Sequence, residues 1–321
     1  MSVLVEAKNI SKYFQTKADT LHAVDNVSFQ INKGETLGVV GESGCGKSTL
    51  GRVMIHLLEA TEGSIYFEGK DVTKINKDQI KSFRDQVQMI FQDPYSSLNP
   101  RMTVGQLIAE PLKIQNKLAK DEIDEKVILL MRTVGLAERL YNSYPHELDG
   151  GRRQRIGIAK ALAVDPKFII CDEPVSALDV SIQAQILNLL RDLQEERKLT
   201  YIFITHDLSV VRYVSSHIMV MYLGQVVEKV AANNIFQNAL HPYTRALFSA
   251  LPQPTLHNRR KRIILKGELS SPINPKPGCR FFSRCIYATP ECNERTPVLE
   301  EYEPDHYVAC SRIREINLYE K

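Results

Sequence analysis

A glycine-rich segment between residues 41 and 48 has the residue types and the spacing of a phosphate-binding loop. Its sequence, Gly-Glu-Ser-Gly-Cys-Gly-Lys-Ser, fits the pattern G-x-x-x-x-G-K-S. In such loops the glycines let backbone N–H groups surround the phosphates, the lysine reaches the β- and γ-phosphates, and the serine hydroxyl binds Mg²⁺. We therefore predict a nucleotide site formed by Gly41, Ser43, Gly44, Cys45, Gly46, Lys47, Ser48 and Thr49.

Two consecutive carboxylates, Asp172 and Glu173, follow the apolar run Phe168–Cys171. An aspartate at the end of an apolar strand is the usual second half of an Mg²⁺-nucleotide site. The glutamate that follows could polarise an attacking water as a general base. Either residue alone could be a solvated side chain at a strand end, but the pair, together with the loop, favours the catalytic interpretation.

Four cysteines, Cys279, Cys285, Cys292 and Cys310, lie close together near the end of the sequence. In a reducing compartment such a group is more typical of a metal site than of disulfides. Four thiolates could hold Zn²⁺ or an iron–sulfur cluster, and the lack of a Cys-x-x-Cys pair weakens zinc without excluding it. Unliganded thiols are the third alternative. We interpret His306, which lies nearby, as a surface histidine.

The other two cysteines stand apart. Cys171 lies within an apolar run and is interpreted as a small core residue. Cys45 is near Lys47 and a predicted helix N-terminus, both of which favour the thiolate. We therefore expect maleimides to modify Cys45 and bound nucleotide to protect it, the alternative being a passive small residue.

The elements that must position these residues follow an alternating pattern. Short apolar runs rich in β-branched residues alternate with helical patterns, which predicts a parallel sheet covered by helices. The glycine-rich loop follows one such run and precedes a helical pattern from Thr49 to Leu58, and the pattern from Val104 to Leu140 predicts an inserted helical subdomain. The predicted strands are Thr36–Val40, Val87–Phe91, Phe168–Cys171, Tyr201–Thr205 and Ile218–Tyr222.

Length and composition limit the classes of protein. A chain of 321 residues can form one main domain and a C-terminal addition. The net charge of +3 gives no case for nucleic-acid binding. No run approaches the length of a membrane-spanning helix, and Glu6 and Lys8 interrupt the N-terminus where a signal peptide needs an apolar core. We therefore expect a cytosolic protein that reaches a membrane only through partners. The basic run Arg259–Arg262 is predicted to be a solvated linker.

Further motifs resemble those of ATP-binding-cassette (ABC) ATPases, and they follow one another in the order found in that family. The segment of sequence Leu-Asp-Gly-Gly-Arg is similar to the ABC signature L-S-G-G-Q. The resemblance covers about residues 3 to 245. The matching elements are the signature Leu148–Arg152, the D-loop Ser176–Asp179, the switch histidine His206, the Q-loop glutamine Gln92 and the adenine-stacking aromatic Tyr13.

The resemblance implies an α/β fold, with a P-loop ABC ATPase core over residues 1–245 that contains a helical subdomain at about 95–160. It also implies a small, irregular, Cys-rich C-terminal domain over 246–321. ATP and Mg²⁺ are the implied cofactors. The implied roles are catalysis for Glu173, His206 and Gln92, Mg²⁺ binding for Ser48, Gln92 and Asp172, and contact with ATP on a partner subunit for Leu148, Asp149, Gly150, Gly151 and Arg152, with Asp179 in the D-loop.

Within the ABC family the chain looks like the ATPases of oligopeptide and dipeptide importers and their nickel-importing relatives. The supporting segments are Gln92–Pro100, His241–Thr244 and the cysteine-bearing end. The resemblance implies two ATPase subunits on the cytoplasmic face of the membrane, two membrane permeases and an external substrate-binding protein. It also tips the four cysteines toward a [4Fe-4S] cluster, with Zn²⁺ as the alternative. A nickel or glutathione-type importer and a nucleotide switch without transport are the competing functions.

The signature departs from the family at two positions, with Asp149 in place of serine and Arg152 in place of glutamine. A serine hydroxyl can donate a hydrogen bond to a γ-phosphate, whereas an ionised aspartate cannot and would repel it. A homodimer would carry this defect at both sites. The sequence therefore suggests a heterodimer with a paralogous ATPase whose signature is regular. The alternative is that Asp149 turns aside and changes little.

Overall fold

The computed structural model describes residues 2–251, 262–265, 267 and 271–319 of the chain. Of the basic run predicted to be a linker, only Arg262 lies among the described residues. The chain divides into two compact units, which we describe separately. The first unit comprises Met1–Ser2, Asn32–Glu35 and Lys74–Phe203, and the second comprises Val3–Ile31, Thr36–Thr73 and Ile204–Lys321.

The predicted strands are confirmed to within one residue at each end, and further strands accompany them. The strands are β1 Val3–Gln15, β2 Thr20–Asn32, β3 Thr36–Val40, β4 Glu62–Phe67, β5 Lys70–Asp71, β6 Val87–Ile90, β7 Phe168–Asp172, β8 Thr200–Ile204, β9 His217–Tyr222, β10 Gln225–Ala231, β11 Glu300–Glu303 and β12 His306–Val308. The α-helices are α1 Lys47–Met54, α2 Lys77–Gln86, α3 Pro94–Ser97, α4 Val104–Gln115, α5 Lys120–Thr133, α6 Gly150–Leu162, α7 Val180–Arg197, α8 Leu208–Val214, α9 Ala232–Ile235, α10 Pro242–Ser249 and α11 Ile313–Tyr319.

The first unit combines the strands β6, β7 and β8, in the spatial order β8-β7-β6, with a group of helices. Strands β6 and β7 are parallel, with Val87 opposite Phe168. Every residue of β7 is buried, which explains why its first four residues are apolar. Helix α4 contacts both α5 and α6, and Thr103 begins α4 in a capping box with Gln106. The helical region predicted between residues 104 and 140 is therefore confirmed.

The second unit contains a sheet with the strand order β11-β12-β10-β9-β3 and a separate sheet with the order β2-β1-β4-β5. Strand β3 is parallel to β9, whereas β9, β10, β12 and β11 pair antiparallel in turn. The prediction of a parallel sheet is therefore correct for the strands around the glycine-rich loop and incomplete beyond β9. A buried aromatic cluster of Tyr222, Tyr243 and Phe281 joins the sheet to the C-terminal segment, which we define as residues 271–319.

The histidine interpreted as a surface residue is buried, so that interpretation is wrong. Only 2% of His306 is exposed, because β12 adds to the sheet beside β10 and places His306 opposite Val230. The His306 ring lies 2.7 Å from the carboxylate of Glu228, which is itself fully buried. Glu228 also accepts hydrogen bonds from the backbone N–H groups of Leu240 and His241, which satisfy a charge that would otherwise be costly to bury.

Across the described residues, we find no helix with both the length and the apolar character needed to cross a membrane.

Candidate nucleotide site

The glycine-rich loop connects β3 to α1 as the sequence predicts. Gly46 precedes the first residue of α1 with φ +101°, and a Cβ atom there would lie 2.0 Å from the carbonyl oxygen of Ala23. A Cβ atom on Gly41 would lie 2.2 Å from the carbonyl oxygen of Met221. Only glycine fits at these two positions. The first turn of α1 carries no acidic side chain, so its N–H groups can receive an anion.

Lys47 is held inside the loop. Its ammonium group donates hydrogen bonds to the carbonyl oxygens of Gly41 at 2.8 Å and of Glu42 at 3.0 Å, and only 5% of the residue is exposed. These bonds satisfy the charge within the loop itself. A triphosphate that entered the loop would offer the lysine charged oxygens in place of carbonyl dipoles, which is the chemistry that the sequence predicts.

The expectation of a reactive thiolate at Cys45 is wrong. Cys45 is 2% exposed, and burial raises the pKa of its thiol above the ordinary value. The charge of Lys47, whose Nζ lies 3.8 Å from Sγ, lowers this pKa but does not reverse the effect. The sequence argument considered the lysine and the helix and could not include desolvation, which acts in the opposite direction.

The aromatic residue predicted to stack on adenine, Tyr13, lies on β1 in a network of polar side chains. Its ring packs against the ring of His22 in a tilted arrangement, with the centroids 4.1 Å apart and 35° between the two planes. Its hydroxyl donates a 2.8 Å hydrogen bond to Asp25. Burial, followed by the Asp25 carboxylate, raises the pKa of Tyr13. Asp25 also accepts a hydrogen bond from Arg280 of the C-terminal segment, a contact that no local sequence pattern predicts.

The two predicted carboxylates differ in environment. Asp172 ends β7 and is 3% exposed. Glu173, the next residue, has φ +47°, a left-handed conformation that costs a residue with a side chain about 1–3 kcal/mol. The carboxylate of Glu173 accepts a 3.0 Å hydrogen bond from the side-chain amide of Gln92. The first unit thus brings together the predicted Q-loop glutamine and the predicted general base.

The signature segment and the D-loop also meet in the first unit. Asp149 begins α6 as its N-cap, with Oδ1 accepting from the backbone N–H of Arg152 at 2.8 Å and Oδ2 lying 3.4 Å from the guanidinium of the same residue. A Cβ atom on Gly150 would lie 3.0 Å from the side chain of Leu178, which belongs to the D-loop. The D-loop residue Asp179, at the start of α7, is exposed.

The predicted switch histidine, His206, belongs to the second unit and lies two residues after the end of β8. Its side chain is exposed. The flanking residues fix the backbone, because Thr205 accepts a hydrogen bond from the N–H of Asp207 at 3.0 Å and Asp207 caps α8 by accepting from the N–H of Ser209 at 2.8 Å. The histidine is therefore presented from a rigid turn.

A contact that the sequence did not predict joins the C-terminal segment to the glycine-rich loop. The guanidinium of Arg284 binds the carboxylate of Glu42 through two parallel hydrogen bonds of 2.9 and 3.2 Å. The backbone N–H of Glu42 donates a 2.9 Å hydrogen bond to the hydroxyl of Tyr243. Tyr243 follows His241, which caps α10 through Nδ1. Burial lowers the pKa of His241 to about 4, so its ring stays neutral and can accept this bond.

The four C-terminal cysteines lie near one another without forming a ligand set. Burial, together with the neighbouring Cys310, Cys285 and Cys292 thiols, raises the pKa of Cys279 to about 12. Burial likewise raises the pKa of Cys310 to about 11. Throughout the part of the chain that the structure describes, no group of three or more His, Cys, Asp or Glu side chains is arranged to hold a metal ion. The donor chemistry of four mutually close thiols nevertheless fits a thiolate-bound metal.

Comparisons with known proteins agree with these motifs. Residues 24–176 match the family model described as ABC transporter, and residues 227–292 match the model described as oligopeptide/dipeptide transporter, C-terminal region. The oligopeptide transport ATP-binding protein AppF of Bacillus subtilis is 51% identical over 96% of this chain and 96% of its own length. OppF of Escherichia coli is 51% identical over 98% of this chain and 94% of its own. The dipeptide transport ATP-binding protein DppF of Haemophilus influenzae is 48% identical over 97% of both chains.

Solved structures give the same result for the fold. The dimeric cassette MJ0796, in a post-hydrolysis state bound to ADP and Pi, superposes with a TM-score of 0.66 and 31% identity over 71% of this chain and 99% of that chain. The protein cbiO1 of Clostridium perfringens, part of the ABC transporter complex cbiONQ, gives a TM-score of 0.66 and 28% identity over 74% of this chain and 91% of that chain. On this evidence the chain belongs to the oligopeptide and dipeptide transport ATP-binding proteins of the ABC transporter family.

Proposed function

We propose that this chain is the ATP-hydrolysing subunit of an ABC importer that takes up oligopeptides or dipeptides. The observation that carries the proposal is the glycine-rich loop, in which only glycine fits at Gly41 and Gly46 and the buried ammonium of Lys47 donates hydrogen bonds to the loop carbonyls of Gly41 and Glu42. Such a loop before a helix N-terminus binds phosphates. The relatives that share half of its residues over nearly the whole chain are peptide transport ATP-binding proteins.

The individual roles follow from the family motifs and from chemistry. ATP binds the residues of the glycine-rich loop, with its base on Tyr13. Glu173 polarises the attacking water, and its left-handed backbone and its hydrogen bond with Gln92 support a specialised position. His206 assists at the γ-phosphate. The proposed Mg²⁺ ligands are Ser48, Gln92 and Asp172, whose oxygen atoms are the donor type that Mg²⁺ prefers.

We propose the following assembly. Two membrane permeases and an external substrate-binding protein complete the importer, and the chain lies on the cytoplasmic face of the membrane. The second ATPase subunit is a paralogue with a regular signature, because Asp149 would place a carboxylate against the γ-phosphate of a partner-bound ATP. Its ion pair with Arg152 is exposed and offsets little of this repulsion.

The cysteines Cys279, Cys285, Cys292 and Cys310 are proposed to hold a [4Fe-4S] cluster, with Zn²⁺ as the alternative. Their mutual effect on pKa supports the proximity that either site needs. Burial raises the pKa of the Cys279, Cys285 and Cys310 thiols, so a metal must displace protons from them. When bound, the metal would supply structural stability to the C-terminal segment.

Reconstitution tests the transport function. The chain is combined with its neighbouring permeases, partner ATPase and binding protein in vesicles, and ATP hydrolysis and uptake are measured with a mixed peptide library, a nickel chelate and glutathione. Peptide-stimulated hydrolysis with uptake is the expected result, and Lys47→Ala should abolish both. Stimulation by nickel or glutathione alone would replace the peptide assignment. Nucleotide binding with no hydrolysis by the complete assembly would indicate a switch module instead.

A further inference from the structure

We propose that Arg284 of the C-terminal segment is a positioning residue for the nucleotide, which sets ATP affinity by neutralising and fixing Glu42 in the phosphate-binding loop. The pair is largely buried, with 10% of the Arg284 side chain and 24% of the Glu42 side chain exposed. Its two parallel hydrogen bonds, of 2.9 and 3.2 Å, are the bidentate geometry in which arginine and carboxylate bind most strongly. This inference rests on the proposed function, because it concerns how that site binds ATP.

Glu42 is connected to the group that binds phosphate. Its carbonyl oxygen accepts from the ammonium of Lys47 at 3.0 Å and from the N–H of Cys45 at 3.3 Å. Its own N–H donates to the hydroxyl of Tyr243. A shift of Glu42 would therefore move the backbone that surrounds the phosphates. Arg284 is itself held over the ring of Tyr222, 5.9 Å from the ring centroid, so the restraint extends into the aromatic core of the unit.

The charges of Arg284 and Glu42 predict how their contact affects phosphate binding. A triphosphate brings several negative charges to a loop that already carries the carboxylate of Glu42. While Arg284 binds this carboxylate, the two charges cancel at short range. If Arg284 is removed, Glu42 keeps a partly buried, unpaired charge beside the phosphates, and both desolvation and repulsion oppose binding. Removing the charge of Glu42 as well should relieve most of the penalty.

A second arginine of the same segment acts on the adenine side. Arg280 binds both Asp25 and the carbonyl oxygen of Leu223. Asp25 in turn accepts from the hydroxyl of Tyr13, the residue proposed to stack on the base. The C-terminal segment thus contacts both ends of the proposed nucleotide site through two arginines that are four positions apart.

The test measures dissociation constants of the purified full-length chain for ATP and for inorganic tripolyphosphate, which has no base. Arg284→Gln should weaken both ligands by about tenfold, a typical coupling between neighbouring sites. Glu42→Gln should change them little, and the double variant Glu42→Gln, Arg284→Gln should bind like Glu42→Gln alone. Arg284→Lys, which keeps the charge but not the paired hydrogen bonds, should fall between wild type and Arg284→Gln. Arg280→Gln should weaken ATP more than tripolyphosphate.

Arg312→Gln is the matched control, because Arg312 forms an ion pair with Glu315 in the same segment and should leave both dissociation constants unchanged. The double variant separates an effect of charge from an effect on folding. If Arg284→Gln weakened binding only by disturbing the fold, adding Glu42→Gln would not restore the affinity. Wild-type affinity in Arg284→Gln, or no rescue by Glu42→Gln, would overturn the inference. Failure of the wild-type chain to bind ATP would instead contradict the proposed function itself.

Discussion

The side-chain amide of Gln92 donates a hydrogen bond of 3.0 Å to the carboxylate of Glu173. The two residues are 81 positions apart in the sequence, and the resemblance to ABC ATPases gives both of them roles in hydrolysis. The nitrogen of the amide binds the proposed general base, while its oxygen is the atom type that Mg²⁺ prefers. Gln92 could therefore couple the binding of metal and nucleotide to the position of Glu173, the proposed general base.

The first prediction concerns Glu173→Gln. This change keeps the shape of the side chain and removes the charge that attracts a proton from water, so the variant should still bind ATP. Its turnover in the assembled transporter should fall by about 100- to 10,000-fold, the usual contribution of a general base. The measurement is phosphate release, together with accumulation of an ATP-bound closed dimer.

The control for this variant is Glu195→Gln, an exposed glutamate on α7 in the same unit, which should hydrolyse ATP at the wild-type rate. Turnover of Glu173→Gln near the wild-type rate would remove Glu173 from the role of base.

The second prediction separates two roles of Asp149. Serine and aspartate cap helices about equally well, whereas alanine loses the cap at a cost of about 1 kcal/mol. Asp149→Ser should therefore leave the melting temperature unchanged, and Asp149→Ala should lower it. If the carboxylate repels a partner-bound γ-phosphate, Asp149→Ser should also raise the ATPase rate of the heteromeric complex.

The matching experiment is made on the other subunit. Changing the corresponding serine of a regular partner signature to aspartate should be far more damaging than any change at Asp149. Equal effects from the two subunits would argue for two equivalent ATP sites and against the asymmetric assembly.

The sequence predicted the glycine-rich loop between a strand and a helix correctly, because that motif is local. Strand β3 has the predicted bounds because all five of its residues are buried and apolar or β-branched. Helix α1 instead begins at Lys47 and ends at Met54, earlier than the predicted Thr49 and Leu58. The left-handed conformation of Gly46 starts the helix within the loop, and His56, with φ +55°, ends it. These conformations depend on contacts with distant segments of the same chain, such as Gly46 with Ala23, that a local pattern does not contain.

Contacts between residues that are far apart in the sequence could not be predicted from local sequence patterns. Strand β1 was not predicted, because its register shifts between Lys8 and Ser11 and breaks the alternation of buried and exposed residues. The contact between Arg284 and Glu42 joins residues 242 positions apart. Both residues are of a type that is normally solvated, and only the fold makes them partners. The same is true of Glu228, a charge in a strand that sequence alone would place in solvent.

The third prediction concerns pH and His241. Burial lowers its pKa from 6.5 to about 4, so between these values the unfolded chain binds more protons than the folded chain, and stability falls as the pH falls. Acidification from about pH 7 to about pH 5 should therefore cost about 2 kcal/mol through this group. In His241→Asn, which keeps an acceptor for the cap but does not titrate, this part of the pH dependence should disappear.

Urea unfolding at several pH values measures this effect. The control is His146→Asn, since His146 is exposed on a surface turn and should leave the pH dependence unchanged. An equal acid sensitivity in His241→Asn and wild type would show that the acid loss has another origin.

The fourth prediction follows from the burial of Cys45. Because the thiol is buried and its pKa is raised, a maleimide should modify Cys45 slowly at neutral pH, at a rate similar to that of the fully buried Cys171. Peptide mass spectrometry after timed labelling measures both rates, with denatured protein as the fully reactive reference. Rapid labelling of Cys45 in the folded chain, with protection by ATP, would restore the reactive thiolate that the sequence suggested.

The last prediction concerns the four C-terminal cysteines. The C-terminal segment has short strands and few long apolar runs, and a metal site commonly supplies the missing stability in such segments. Protein purified without oxygen should therefore be brown and contain about four irons per chain. Cys285→Ser should lose the cluster and weaken the fold of the segment, whereas Cys171→Ala, which alters a core thiol, should keep the iron. Colourless protein with about one zinc per chain would replace the cluster by a zinc site. Metal-free protein under the same conditions would leave the four residues as ordinary thiols.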